Sequence, residues 1–333
     1  MTHVSHSPPR ELLDFLNDYS TYYVVGHKEP DGDCVGSQLA LASWLGRRGK
    51  QTVLLSAGPF TRTEIASYAG RFLPKAALPP EDNAALVVLD CSSLSRVGDA
   101  AEGLDQLPLA FIDHHASGES AGEARYVVSA APSVTCLVQK VIETSKNVPS
   151  DDEAELLLFG LCTDTGFFRH LDERSSAVFS MVSRLVDAGA SPKKAFGMMN
   201  GGKPFASRKL MGELLSRTEQ LFGGRLLLTW MDTADHDRYG LVGRDSDMLY
   251  QLLMTVEGIE AVVVIRQEKP GECTVGFRSR ERIDVAAIAA SFGGGGHRLA
   301  AGLHIRDELP SVRERVVSAF QAVFAAMDLA DAQ

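Results

Sequence analysis

Hydrophobic and polar positions fall in blocks along this chain, and the blocks change period. Tyr22-Tyr23-Val24-Val25, Thr52-Val53-Leu54-Leu55 and the stretches 85–89 and 109–112 are short apolar runs rich in β-branched and aromatic residues, which predicts buried strands. Around them the spacing turns helical, over 11–19, over 37–48 with Gly49 as a stop, and over 133–143 and 152–162. Strands alternating with helices predict an α/β fold, a mainly parallel doubly wound sheet with helices on both faces. From Arg174 to about Leu210 the pattern is mostly helical, punctuated by Gly189, Pro192, Gly201, Gly202 and Pro204. A second, smaller α/β lobe follows, with strands over 225–231, 261–267 and 273–278 and helices near 244–256, 285–292 and 310–327. The expected division is a first domain over 1–195, a helical connector over 196–210 and a second domain over 211–333. No internal repeat or low-complexity tract interrupts it.

Chemistry concentrates where the apolar runs stop. His27-Lys28-Glu29-Pro30-Asp31-Gly32-Asp33 follows the first strand, Asp90 the third and Asp113-His114-His115 the fourth; Asp164 follows the helix over 152–162. The carboxyl ends of parallel strands open into one crevice, so these side chains are expected to converge. Asp31 and Asp33, separated by Gly32, can aim at different cations from an extended turn. The mixed set His27, Asp31, Asp33, Asp90, His114 and Asp164 suits manganese or magnesium better than a structural zinc, which favours thiolates. Each block alone has an ordinary alternative, since Asp and Gly after a strand are common turn residues, and Asp90 or Asp164 would serve as a cap. Together they point to two divalent cations that produce hydroxide near neutral pH and clamp both oxygens of a phosphoryl displacement.

The second lobe holds Gly293-Gly294-Gly295-Gly296-His297 just after a helix that ends at Phe292. Glycine N–H groups can wrap an anion because no Cβ blocks the approach, although such a run also makes a hinge. Arg278-Ser279-Arg280 closes a strand, where an arginine offers planar, bidentate phosphate recognition. The plainer reading of Arg280, Arg282 and Arg298 is a solvated charge run.

The order His27-x-x-x-Asp31-x-Asp33, Asp90, Asp113-His114-His115 and Asp164 resembles the four motifs of the DHH phosphoesterase superfamily, and G-G-G-G-H-x-x-A-A-G resembles its DHH-associated domain. The resemblance implies a first cation on His27, Asp31 and Asp90 and a second on Asp33, Asp90, His114 and Asp164, with Asp90 as the bridge. It implies that His115 faces the substrate phosphate and that Asp113 orients an imidazole, a residue equally readable as a turn acid. Arg278, Ser279, Gly294, Gly295, Gly296 and His297 would bind substrate. The likeness spans nearly the whole chain and is strongest to the nanoRNase and oligoribonuclease branch. Its members cut very short oligoribonucleotides and dephosphorylate 3′-phosphoadenosine 5′-phosphate. Ser207-Arg208-Lys209 is followed by Leu210-Met211, so the Ser-Arg-Lys-Lys-Gln stretch of the related manganese pyrophosphatases is incomplete.

Composition narrows the partners. A formal charge of -10 argues against a grip on long nucleic acid by phosphate neutralisation, while a short anionic substrate held by cations and local arginines remains open. The five cysteines are far apart with no C-x-x-C pair, as expected of reduced, buried thiols. The first ten residues lack a basic region followed by an apolar core, and no apolar stretch nears the roughly 20 residues of a membrane span, so a cytoplasmic protein with no membrane partner is expected. Two other functions compete: a phosphodiesterase acting on cyclic or linear diadenylate, and a nucleotide sensor that binds without cleaving, against which the intact ligand set argues. A homodimer is compatible with this reading.

Overall fold

The protein is described by a computed structural model over residues 7–115, 122–144, 147–240 and 246–332. The expected start of a helix at Arg244 and most of the leader reading, Met1 to His6, lie outside these residues. The chain divides into two compact units between Gly202 and Lys203.

The first unit runs α1 (Arg10–Asp18), β1 (Thr21–Gly26), α2 (Gly32–Arg47), β2 (Gln51–Leu55), β3 (Ala84–Leu89), β4 (Leu109–Asp113), β5 (Ala124–Val127), α3 (Val134–Thr144), α4 (Asp151–Asp164), α5 (Ser176–Asp187) and α6 (Pro192–Asn200). Its five strands are all parallel, in the order β2-β1-β3-β4-β5. The central strands Thr21–Gly26 and Ala84–Leu89 are buried along their whole length, which is why they read as unbroken apolar runs rather than alternating ones. One face packs Tyr22, Val24, Val87 and Ile112 against α1 to α4, including Leu16, Leu41, Leu45, Leu137 and Leu158. The other face packs Tyr23, Val25, Leu86 and Val88 against Val97, Ala100 and Leu104. Two short 3₁₀ turns, Leu94–Arg96 and Gly98–Ala101, supply that second layer in place of longer helices.

In this strand order the chain leaves β1 toward β2 and then returns to the other side of β1 as β3. The switch between β1 and β3 opens a crevice at their carboxyl ends, where ligands bind in open α/β sheets. The expected helix over 37–48 begins earlier, at Gly32, because the Asp31 carboxylate caps it by accepting from the Asp33 and Cys34 N–H groups. Asp33 therefore sits in the first turn of α2, not in an extended turn, and it is the helical offset that separates its carboxylate from Asp31's.

The second unit runs α7 (Phe205–Ser216), β6 (Glu219–Leu221), β7 (Leu226–Met231), α8 (Thr233–Tyr239), α9 (Ser246–Met254), β8 (Ala261–Lys269), β9 (Glu272–Ser279), α10 (Val285–Ser291), β10 (Gly295–His297), β11 (Ala300–Ile305) and α11 (Leu309–Asp331). Its sheet has six strands in the order β10-β11-β9-β8-β7-β6, with only β7 and β8 parallel. Phe277, Val263 and Leu228 pack under Val316, Phe320 and Phe324 of α11 on one face. Val262, Val264 and Leu227 pack on the other face against Leu210, Met211 and Leu214 of α7 and Leu249, Tyr250 and Leu253 of α9. Leu210, expected in a connector, thus belongs to the second core.

Candidate metal centre and a second-unit phosphate site

β1, β3 and β4 each end in a residue of the same cluster. His27 follows β1, Asp90 follows β3, and Asp113 ends β4 with His114 and His115 directly behind it. Asp90 turns its carboxylate inward from a left-handed backbone (φ 61°), a conformation that Asp tolerates better than most residues. Two helix termini add the rest. Asp33 lies in the first turn of α2, and Asp164 is the last residue of α4.

The helices approach closely enough for this because small residues stand between them. A Cβ on Gly160 of α4 would come within 2.4 Å of the Thr135 methyl and 3.1 Å of Asp33 itself. Asp33 is wholly buried: its Oδ1 accepts from the Thr135 N–H and hydroxyl and its Oδ2 from the Val134 N–H, at the amino end of α3.

The imidazoles are set by their outer nitrogens. His27 Nδ1 lies 2.8 Å from the Lys28 carbonyl and His114 Nδ1 3.1 Å from the Ala131 carbonyl, and since a carbonyl only accepts, both rings carry their proton on Nδ1. Each Nε2 then presents a lone pair to the cluster. His27 Nε2 is 3.8 Å from Asp31 Oδ2 and 3.5 Å from Asp90 Oδ2; His114 Nε2 is 3.5 Å from Asp90 Oδ1 and 3.4 Å from Asp164 Oδ2. These gaps are too long for good hydrogen bonds. They match two ligands on either side of one cation, each about 2.1 Å from it. Asp90 joins the two halves, and its Oδ1, although buried, has no hydrogen-bond partner among the described residues.

Electrostatics reinforces the fit. Burial, with Asp31 beside it, raises the Asp33 carboxyl above its ordinary range; burial and the charges of Asp33, Asp31 and Asp164 raise Asp90 well above it. Asp164, at a helix carboxyl end where a negative charge is disfavoured, is pushed to about 9, mainly by burial and then by Asp33 and Asp31. Like charges gathered out of water call for a cation. Among the described residues, three groups of donors have their atoms within 4.8 Å of one another: His27 with Cys34 and Asp90, Asp90 with His114 and His115, and Asp33 with His114 and Asp164.

Behind the cluster stands Asp113. Its Oδ1 accepts from the His114 and His115 N–H groups and from His115 Nδ1 at 2.7 Å, and its Oδ2 from the Ser92 hydroxyl at 2.6 Å. Burial works to raise this carboxyl, but the bonds from His115 and Ser92 outweigh it and hold it below the usual range. The same bond raises His115 against the effect of burial. With Nδ1 committed to Asp113, Nε2 is the ring nitrogen left to His115 for a further partner.

Cys34 and Thr135 were not singled out in the sequence. Thr135 carries no local signal, since its partner Asp33 is about a hundred positions away. Cys34 touches the cluster, yet burial and Asp90 keep its thiol well above its ordinary pKa, and the thiol donates to Gln38 Oε1 at 3.5 Å. It is a packed thiol rather than a thiolate ligand. All five cysteines are free and buried.

In the second unit, the register pairs His297 with Ala300 and Ala300 with Arg278, so the Arg278 and His297 side chains stand on one face of the sheet with only a methyl between them. The Arg278 guanidinium stacks 4.6 Å from the centre of the Tyr250 ring. Two local arrangements bear on the expected substrate contacts. The Ser279 hydroxyl is buried and donates to the Ile283 carbonyl at 2.7 Å, which fixes the turn after β9. The glycine run is no free anion loop: the Gly293 and Gly294 N–H groups bond back to the Ala290 and Ala289 carbonyls, closing α10, and Gly295 and Gly296 form an edge strand with His297. Glycine is needed there for contact, because a Cβ on Gly294 would lie 2.4 Å from Leu303 Cβ and one on Gly296 2.6 Å from the Ala300 carbonyl oxygen.

Among the described residues, no helix is long and apolar enough to cross a membrane.

Comparison with known proteins agrees with the two-unit α/β fold. The model of the DHH family N-terminal domain matches residues 21–161, and that of the DHHA1 domain matches residues 238–326. The chain is 31% identical over 299 residues to the bifunctional oligoribonuclease and PAP phosphatase NrnA of Thermus thermophilus, covering 89% of this chain and 88% of that protein. It is 24% identical to the cyclic-di-AMP phosphodiesterase GdpP of Geobacillus thermodenitrificans, covering 91% of this chain but 47% of that protein. Among solved structures, an exopolyphosphatase-related protein from Bacteroides fragilis superimposes with a TM-score of 0.83 at 18% identity, over 96% of this chain and 98% of that one, which shows a shared fold.

Proposed function

This chain belongs to the DHH family and carries a DHHA1 domain, and from that premise we propose that it is a divalent-metal phosphoesterase that hydrolyses very short oligoribonucleotides to mononucleotides and removes the 3′-phosphate of 3′-phosphoadenosine 5′-phosphate. The observation that carries the reading is the run of imidazole and carboxylate pairs separated by 3.4 to 3.8 Å around the orphaned Asp90 oxygen.

His27, Asp31 and Asp90 would hold one cation and Asp33, Asp90, His114 and Asp164 a second, with manganese our first choice and magnesium the next. Bound cations would supply Lewis-acid charge, which lowers the pKa of an attacking water and neutralises the phosphoryl oxygens. The chain's own groups do the remaining work. Asp113 fixes the His115 ring by accepting from Nδ1–H and, by raising its pKa, favours the doubly protonated imidazolium, whose Nε2–H would donate to a phosphoryl or leaving-group oxygen as charge develops there. Arg278, already stiffened by its stack on Tyr250, and His297 would take a substrate phosphate from one face of the second sheet. The net charge of -10 disfavours a long polyanion, so short substrates and a cytoplasmic setting go with this reading.

The test is one assay panel with manganese or magnesium, comparing ribonucleotides of about two to five residues, an oligomer of about 20, 3′-phosphoadenosine 5′-phosphate and cyclic diadenylate. The expected result is fast cleavage of the shortest RNAs and of the bisphosphate, with mononucleotides accumulating from the start. Preferred cleavage of cyclic diadenylate would replace this reading with the dinucleotide one. Equal rates on the dimer and the long oligomer would overturn the length preference.

A further inference from the structure

We propose that Arg96 contacts the phosphoryl group of the substrate beside His115, a role that rests on the phosphoesterase reading above. Neither the motif set nor the family likeness points to it; its place in the fold does. After β3 the chain passes Asp90, spends the Ser92 hydroxyl on Asp113, and enters the 3₁₀ turn Leu94–Arg96, capped by the Ser93 hydroxyl. The turn is then pinned from the other side, because the Arg96 carbonyl accepts from the Lys28 N–H at 2.8 Å, one residue beyond His27. The backbone of Arg96 is thereby tied to both halves of the cluster, to His27 through Lys28 and to Asp113 through Ser92.

The side chain behaves as a waiting ligand. It is exposed, and among the described residues its guanidinium makes no ion pair or hydrogen bond, whereas Arg47 and Arg184 of the same unit are held by Glu153 and Glu143. Its positive charge nevertheless reaches His115 and Cys91. Were it there to neutralise the acidic cluster, it would pair with one of the five aspartates Asp31, Asp33, Asp90, Asp113 or Asp164, and it pairs with none of them. An unpaired, always charged, bidentate donor within electrostatic reach of an imidazole whose Nε2 is uncommitted is suited to the non-bridging oxygens of a phosphoryl group. The two donors would meet that group from the protein side while the carboxylates face the cations.

The experiment compares wild type with Arg96→Ala and Arg96→Lys in the full chain. Three quantities are read: kcat/KM on a diribonucleotide, affinity for manganese, and calorimetric affinity of the magnesium-loaded protein for AMP. Expected for Arg96→Ala is a loss of about ten- to a hundredfold in kcat/KM and about tenfold in AMP affinity, the scale of one charge-assisted contact, with manganese affinity unchanged. Arg96→Lys should recover part of both losses, since it keeps the charge but not the fork. Unchanged kcat/KM and AMP affinity would overturn the proposal, as would a loss that saturating manganese restores. If wild type cleaves no phosphoester at all, the functional reading fails, and the AMP titration alone then decides the role of Arg96.

Discussion

Asp90 and Asp113 stand at the ends of neighbouring strands and do opposite things, and the difference is set by what meets their oxygens. Asp90 Oδ1 is buried with no donor among the described residues, while Asp113 accepts from three N–H groups and a hydroxyl. Asp90→Ala should therefore abolish turnover and lower bound manganese together, because the carboxylate serves both halves of the cluster; normal activity with full metal content would remove it from the centre. Asp113→Asn keeps the shape but loses the charge that orients His115. Its kcat should fall by about ten- to a hundredfold with metal content largely retained, as for other partners that orient ligands from behind. Steady-state kinetics with metal analysis on each variant separates the two roles. At this scale the sequence was informative about residue type and silent about partners: nothing near Asp33 announces Val134 and Thr135, and nothing near Ser279 announces that its hydroxyl is bonded to Ile283.

Elements were legible where an apolar run was long and wholly buried, as in β1 and β3, and illegible where pairing alone made the strand. β5, β6 and β10 are four, three and three residues long, on sheet edges or half exposed, and their residues show no period-2 pattern strong enough to register. The glycine run shows the consequence. Chemistry alone suggests an anion loop, but its first two N–H groups close a helix and its next residues pair as an edge strand. Gly294→Ala, whose Cβ would press on Leu303 Cβ at 2.4 Å and on the Gly302 carbonyl oxygen at 2.5 Å, should destabilise the second unit by about 1–3 kcal/mol. Gly295→Ala meets no atom within 4 Å and should be close to neutral. Thermal unfolding of both variants checks this, and equal stability would mean that the close approach of β10 and β11 is easily relaxed.

At the scale of the molecule, the gathered carboxylates make the first unit a balance between pH and cation. The folded-state pKa of Asp33, Asp90 and Asp164 lies above the unfolded value near 3.8, in Asp164 at about 9, so above pH 3.8 the fold holds more protons than the unfolded chain, through Asp164 up to about pH 9. Stability contributed by these groups is present below pH 3.8 and is lost as pH rises through each raised pKa, for Asp164 up to about 9 and by up to about 1.4 kcal/mol per pH unit for that carboxyl. His115, also raised, acts in the same direction. Chelator-treated protein should thus lose at least about 4 °C in Tm between about pH 5 and about pH 8, and added manganese should restore more at the higher pH. A Tm that rises over that range without cation would contradict it. The sequence by itself determined the alternation of strands and helices, the parallel sheet and the types of residue at its carboxyl ends, because burial and period are properties of short stretches read in order. It did not reach the sharing of Asp90 between the pairs around His27 and His114, the anchoring of Asp33 on α3, the alignment of Arg278 with His297 or the tether of Arg96 beside His27. Those were decided by tertiary structure alone, since each depends on a distance between residues far apart in the chain, which close packing sets and no local pattern encodes.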